Sequence, residues 1–146
     1  MRLRVARLDE FQWINDRYAE VRFQPSDLAE EIVVIASIDE RPAGLGRLVP
    51  IDEDAWELGG ILVFEEFRGR GVARAIVGEL LGHTNSTHVY CIPFAELESF
   101  YASAGFARTD DAPPEVLEKF AWCRRKYEKP VLLMIWSAAT PVAALP

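Results

Sequence analysis

Segment 61–81, ILVFEEFRGRGVARAIVGELL, commits the chain to a strand that runs through a tight turn into a helix. Ile61-Leu62-Val63-Phe64 is an unbroken apolar run with β-branched members, as a buried strand requires. Beyond the turn, Val72, Ala73, Ile76, Val77, Leu80 and Leu81 recur at helical spacing and form one apolar stripe. Arg68-Gly69-Arg70-Gly71 lies between them. The two glycines let the backbone fold tightly and leave its N–H groups uncovered where the helix starts. Those donors, the positive end of the helix dipole and two arginines suit a phosphate group. The residues therefore point to a polyphosphate cofactor at this turn.

The rest of the chain supplies a partner for such a unit. Residues 2–8 alternate Arg2, Arg4 and Arg7 with Leu3, Val5 and Leu8, the pattern of a strand with one uncovered face. Asp9 is placed to cap a helix carrying Phe11, Ile14, Tyr18 and Val21, and Pro25-Ser26-Asp27 to start a second helical turn. Strands are expected at 32–38, 43–51 and 55–64, joined by the polar turns Asp39-Glu40-Arg41-Pro42 and Asp52-Glu53-Asp54. After the helix at 71–82 come a strand at 87–92, stopped by Pro93, and a helix at 95–104 with Leu97, Phe100, Tyr101 and Ala104 on one face. Gly105 then ends that helix, Phe106 begins a strand, 115–127 is helical and 131–136 is a last strand. A crossover helix between 61–64 and 87–92 makes those two strands parallel within an otherwise antiparallel sheet.

Bulk properties narrow the class. A chain of 146 residues with half of them hydrophobic fits one globular domain; we expect it to span 1–137, with 138–146 a loose tail. A net charge of −7 argues against nucleic acid and mildly favours a cationic substrate such as an amine. The apolar runs are too short to span a bilayer, and the charged N-terminus does not read as a signal peptide. No membrane partner is expected, and a cytoplasmic location is. Cys91 and Cys123 form no metal-like spacing with His83 or His88, so no metal is expected. Both thiols read as small core residues, and both histidines as surface or packing groups.

Two motifs now point to a family. Arg68-Gly69-Arg70-Gly71-Val72-Ala73 resembles the acetyl-CoA signature R/Q-x-x-G-x-G/A of the GNAT superfamily of N-acetyltransferases. Phe100-Tyr101-Ala102-Ser103-Ala104-Gly105-Phe106 resembles the FYxxxGF sequence that the family carries downstream. The turn is neither a Walker A loop nor a dinucleotide GxGxxG. The resemblance implies an α/β (α+β) fold: a mixed, mostly antiparallel central sheet with a parallel splayed pair and flanking helices. It implies acetyl-CoA as co-substrate, with its pyrophosphate on Arg68, Gly69, Arg70, Gly71, Val72 and Ala73, and its pantetheine arm on the backbone of Leu62 and Val63. It implies direct transfer of the acetyl group to a primary amine of a small molecule, without an acyl-enzyme.

Within that resemblance, Tyr101 matches the tyrosine that protonates the departing thiolate; the competing reading is a ring packed on Phe100 with its hydroxyl in solvent. Glu57 is the candidate general base, with the alternative of a carboxylate that binds the substrate amine or an arginine. Alternation places it on one face with Gly59, Ile61 and Val63, and Gly59-Gly60 leaves room for a bulge. Trp56, Phe94, Phe120 and Trp122 are open between an acceptor pocket and core packing. The sequence departs from the family pattern at Ile92-Pro93-Phe94, where an asparagine often contacts the cofactor, and at Glu65, where a proline is frequent. Two other readings share the cofactor: an acyl-CoA sensor without turnover, and a peptide or protein N-acetyltransferase. Dimers are common in the family, which makes the final strand a candidate homodimer interface.

Overall fold

The computed structural model describes residues 1–84 and 88–137. Thr87, expected to open a strand, and the tail 138–146 lie outside the described residues. In chain order the elements are β1 (Arg2–Val5), α1 (Phe11–Glu20), β2 (Ile32–Ile38), β3 (Arg41–Asp52), β4 (Ala55–Val63), α2 (Val72–Gly82), β5 (His88–Cys91), α3 (Glu98–Ser103), β6 (Ala107–Arg108), α4 (Pro114–Lys126) and β7 (Met134–Ser137). The seven strands hydrogen-bond in the order β1-β2-β3-β4-β5-β7-β6. β1–β2, β2–β3, β5–β7 and β6–β7 are antiparallel, while β4–β5 is parallel, as the crossover predicts. This is the mixed, mostly antiparallel sheet with flanking helices that was expected. Backbone proximity divides the described residues into two compact units: Met1–Val49 with Leu58–His83, and Pro50–Glu57 with the described part of Thr84–Pro146.

In the first unit, alternation along β2 and β3 separates two apolar layers. Val33, Ile35 and Leu45 pack with Ile14 and Tyr18 of α1, joined by Trp13, Leu62 and Phe64. The intervening positions Gly44 and Gly46 lie under α2. A Cβ at Gly44 would stand 2.6 Å from the Leu62 carbonyl oxygen, 3.1 Å from Val72 Cγ1 and 3.2 Å from Ile76 Cδ1. Only a hydrogen lets the helix and the neighbouring strand approach this closely. The helix answers with Val72, Ile76, Val77 and Leu80, all buried.

Several local expectations for this unit change. β1 stops at Val5, and Val5 and Leu8 are 42% and 72% exposed, so the alternation covers Leu3 alone. Asp9 does not cap α1; it pairs with Arg7, and Glu10 instead accepts the Arg7 N–H at 2.9 Å. The buried stripe of α1 is Ile14 and Tyr18, with Phe11 and Val21 exposed. Pro25-Ser26-Asp27 does start a short helical turn: the Asp27 carbonyl accepts from the N–H groups of Glu30 and Glu31 at 3.1 and 2.9 Å, and Asp27 Oδ1 from that of Ala29 at 3.0 Å. Ser26 ties the turn to α1, giving its N–H to Asn15 Oδ1 at 2.7 Å while its carbonyl accepts from Asn15 Nδ2 at 3.1 Å. The β2–β3 turn is the two-residue Asp39-Glu40, both with positive φ (51° and 64°), which suits the twist of a hairpin. Arg41 and Pro42 consequently belong to β3, with Pro42 opposite Ser37 at a register shift that accommodates its missing N–H.

The second unit packs Ala55, Tyr90, Val116 and Leu133 together, with Ile51, Ile92, Phe120 and Ile135 against them. Here β4 contributes Ala55, Trp56 and Glu57, paired in parallel with His88, Val89 and Tyr90. Pro114 opens α4 at a position where its missing N–H has no helical partner to lose. The helix expected at 95–104 resolves into a 3₁₀ turn, Ala95–Leu97, and α3, and Leu97 is exposed. Gly105, with φ 104°, closes α3: Phe106 N–H donates to the Tyr101 carbonyl and Gly105 N–H to that of Ala102, both at 3.0 Å. β7 starts three residues later than expected. Val131 forms a single bridge to Phe94, while Leu132 N–H donates to the Pro93 carbonyl and Ala95 N–H to that of Pro130. Each proline can accept but not donate, so a continuous ladder fails there.

Candidate functional site

The glycine turn is as open as the sequence implies. Gly69 and Gly71 have φ of 80° and 78°, and no atom lies within 4 Å of where either Cβ would be. Gly71 is the left-handed residue at which α2 begins, and no side chain caps the helix. Among the described residues, the amides of Gly69, Arg70 and Gly71 donate to no protein acceptor, whereas Arg68 N–H donates to the Glu65 carbonyl at 3.2 Å. The first turn of α2 carries no acidic side chain. Arg70 lies 5.5 Å over the ring of Phe67, a buried residue that thereby orients the guanidinium. Uncovered amides, a helix N-terminus and arginines fit a pyrophosphate. Val72 is buried under the sheet and Ala73 partly so; both can offer main-chain donors only.

Leu62 and Val63 end the strand that leads into this turn. Leu62 packs its side chain into the α1 layer, and its carbonyl lies against Gly44. Gly60 departs from extended geometry with φ 59°, so the strand does bend at the Gly59-Gly60 step, and strict alternation from Glu57 to Ile61 is broken. Its conformation is enforced by neighbours. A Cβ there would stand 2.8 Å from both Arg47 Nε and the Tyr18 hydroxyl. Tyr18 donates to the Gly60 carbonyl at 2.8 Å. Arg47, only 8% exposed, sits 4.4 Å over the Tyr18 ring and donates to Ser26 Oγ at 2.6 Å and the Gln24 carbonyl at 2.8 Å. This buried polar cluster was not anticipated. Its sequence signal is an arginine within an otherwise apolar strand, Leu45 to Val49.

Tyr101, Cys91, Glu57 and Lys119 belong to the second unit. Tyr101 is 7% exposed and clasped edge-on by Phe100 at 4.9 Å and Phe106 at 5.7 Å. Burial, followed by the field of Cys91, pushes its phenol well above the ordinary value, so it stays protonated through the neutral range. That leaves little of the phenol in water. Cys91 is 2% exposed, and burial followed by the Glu57 carboxylate raises its thiol strongly. Cys123 is raised mainly by burial as well. Neither is a thiolate nucleophile, in line with the core role expected of both.

Glu57 is 6% exposed, and its Oε1 accepts a hydrogen bond from Lys119 Nζ at 2.8 Å. Reasoning from sequence had missed Lys119. The clue was available: Val116, Lys119 and Cys123 fall on one face of α4, and the flanking two are buried. Of the aromatics left open, Phe120 packs against the second core, Trp56 is partly buried and Phe94 stacks edge-on with Tyr127. Trp122 is 37% exposed, beneath Lys126. His83 accepts or donates to Glu79 at 3.0 Å one helical turn away, a surface pairing. Among the described residues, no three His, Cys, Asp or Glu side chains gather as a metal would require, and no helix is long and apolar enough to cross a membrane.

Comparison with known proteins bears on the fold and the family. No match was found among curated proteins. Many solved structures match in fold. A Mycobacterium tuberculosis protein crystallised with CoA superposes with a TM-score of 0.72 at 17% identity, over 94% of this chain and 99% of that one. N-acetylglutamate synthase from Neisseria gonorrhoeae, complexed with coenzyme A and N-acetyl-glutamate, gives 0.72 at 14% identity over 93% of this chain, which spans 34% of the synthase. A GNAT acetyltransferase from Elizabethkingia anophelis with acetyl-CoA bound gives 0.67 at 15%, over 93% and 97%. At such identities the likeness is one of fold. The sequence itself carries the assignment further, because the model of the acetyltransferase (GNAT) family matches residues 2–109, a span that includes both the glycine turn and the tyrosine motif, and the chain therefore belongs to that family.

Proposed function

We propose that this protein is an acetyl-CoA-dependent N-acetyltransferase that moves the acetyl group directly to a primary amine of a small molecule, within one domain spanning 1–137. The observation that carries this reading is the open turn 68–73, whose amides and arginines form a phosphate cradle at the start of α2. The Neisseria relative, whose bound N-acetyl-glutamate is an N-acetylated amine, supports an amine acceptor.

Acetyl-CoA supplies the acyl group as a thioester. In this reading the backbone of Leu62 and Val63 pairs with the pantetheine arm, and Arg68, Gly69, Arg70, Gly71, Val72 and Ala73 hold the phosphates. Glu57 removes a proton from the acceptor ammonium, directly or through water, because only the neutral amine has the lone pair to attack a carbonyl carbon. The C–S bond breaks as the C–N bond forms. Tyr101, protonated and buried, donates to the departing sulfur and regains the second proton that the nitrogen sheds as the amide forms, so the ammonium's three hydrogens end on the amide nitrogen, on Glu57 and, by way of Tyr101, on the thiol.

The test is a thiol-release screen with acetyl-CoA across polyamines, amino acids, aminoglycosides and peptides, paired with thermal denaturation. CoA at about a hundred times its Kd adds roughly 2.7 kcal/mol of stability, and thiol appears only when an acceptor amine is present. No stabilisation at millimolar CoA refutes cofactor binding. Stabilisation with no thiol across the panel favours an acyl-CoA sensor, and thiol release with peptides alone favours a peptide acetyltransferase.

A further inference from the structure

We propose that Lys119 is a built-in occupant of the acceptor's ammonium seat, and that the acceptor is an unbranched aliphatic primary amine. The inference rests on Glu57 being the group that meets the amine, as proposed above, and it specifies what that group recognises. A carboxylate as buried as Glu57 must be paired, and among the described residues its hydrogen-bond partner is Lys119 Nζ at 2.8 Å. The pair joins β4 to α4 across 62 positions of sequence, so no local turn or helix geometry requires it.

The two ends of this pair differ in access. The Glu57 side chain is 8% exposed and that of Lys119 42%, so the lysine is the member of the pair that reaches solvent. Lys119 thereby shows what the seat holds: a primary ammonium at the end of a straight chain of four methylenes. Two thiols and a second lysine lie in the field of the pair: Cys123 senses Lys119, Glu57 and Lys126, and Cys91 senses Glu57. An acceptor ammonium of the same shape makes the same hydrogen bond once Lys119 swings out to solvent.

An internal occupant weakens the apparent affinity of the external one by the fraction of time the seat is free. If Lys119 holds Glu57 nine-tenths of the time, removing it tightens amine binding about tenfold. The experiment is calorimetric titration of n-butylamine hydrochloride into the parent and Lys119→Ala proteins, with n-butanol and tetramethylammonium chloride as controls. We expect about tenfold tighter n-butylammonium binding to Lys119→Ala, a matching rise in its melting temperature, and no response to either control. Lys119→Gln, which keeps a hydrogen-bond donor for Glu57, carries the same titration if the alanine variant does not fold. Equal or weaker binding than the parent, or an equal response to tetramethylammonium, overturns the proposal. No acetyl-CoA is present in these titrations. Their failure removes the seat and leaves acetyl transfer standing, whereas an amine that binds but releases no thiol removes the transfer and leaves the seat.

Discussion

Gly44→Ala puts one methyl group where three elements meet. Its Cβ would lie 2.6 Å from the Leu62 carbonyl oxygen, a backbone atom that cannot rotate away, and 3.1–3.2 Å from the buried side chains of Val72 and Ile76. To reach the 3.4 Å of ordinary contact the strand must retreat by about 0.8 Å, against the hydrogen bond from Phe64 N–H to the Ala43 carbonyl at 2.9 Å. Overpacking of this kind costs about 1–3 kcal/mol. The smaller entropy of the unfolded alanine chain returns about 0.4–1 kcal/mol. A clash with a backbone atom falls in the upper part of the overpacking range, about 2–3 kcal/mol, so the net is a destabilisation of about 1–2.6 kcal/mol, or a melting temperature lower by about 2–10 °C for a domain of this size. Gly78→Ala provides the opposite sign in the same helix. Gly78 is exposed, with nothing within 4 Å of its Cβ position, so alanine there stabilises by about 0.5–1 kcal/mol through helix propensity. Thermal and urea denaturation of the two variants decide the matter. A Gly44→Ala protein as stable as the parent would refute the claim that the helix is seated on a bare backbone.

Other consequences are as direct. Gly71→Ala forces an L residue to φ 78°, for about 1–2 kcal/mol of strain, and adds a methyl beside the amides of the turn; CoA affinity measured by calorimetry should fall at least tenfold, and unchanged affinity would take the turn out of cofactor binding. Tyr101→Phe should lower kcat about a hundredfold. Since burial raises the Tyr101 phenol above its ordinary 10, the neutral donor persists to that pH, and the parent kcat/KM profile should show no basic limb below pH 10 that Tyr101→Phe abolishes. Glu10 is held at about 2, against 4.5, first by its hydrogen bonds from Arg4 at 2.7 Å. A lowered carboxyl contributes stability that is complete above pH 4.5 and lost as the pH falls through about 2. With the Arg4 side chain 44% exposed, screening leaves about 1 kcal/mol. Urea denaturation should show Glu10→Gln less stable than the parent by that amount at pH 6, with the gap narrowing from pH 4.5 down to 2.5.

What could be read from the sequence was what depends on near neighbours. The strand, glycine turn and helix at 61–81 followed from an apolar run, two glycines and a helical stripe, and β4–β5 came out parallel because a helix between strands leaves little else. Other features were not legible. Asp9 carries helix-start chemistry, yet it pairs with Arg7, and Glu10 accepts the Arg7 N–H instead. The purpose of Gly44 and Gly46 shows only when α2 lies on them, a contact that no local pattern encodes. Arg47 has no chain neighbour that announces its burial, because its guanidinium packs on Tyr18 and donates to Ser26 and Gln24, more than twenty positions away.

The same distinction separates cofactor from acceptor. A pyrophosphate is gripped by consecutive amides at one helix start, so the binding residues are adjacent in the chain and form a readable motif. An amine is read by a carboxylate and whatever surrounds it, and the carboxylate proposed for that role, Glu57 of β4, gathers its neighbours from β5 and α4. Glu57 alone was ambiguous between base and amine ligand, because both roles need an ionised carboxylate within reach of a nitrogen. Lys119 changes that balance by occupying Glu57 with a primary ammonium at 2.8 Å. A carboxylate that already pairs with one alkylammonium binds another by the same bond, and one that binds the ammonium is placed to take its proton. On the proposal made above, ligand and base are successive states of one contact, and the order in which Lys119 leaves and the amine arrives is the step that sets acceptor choice.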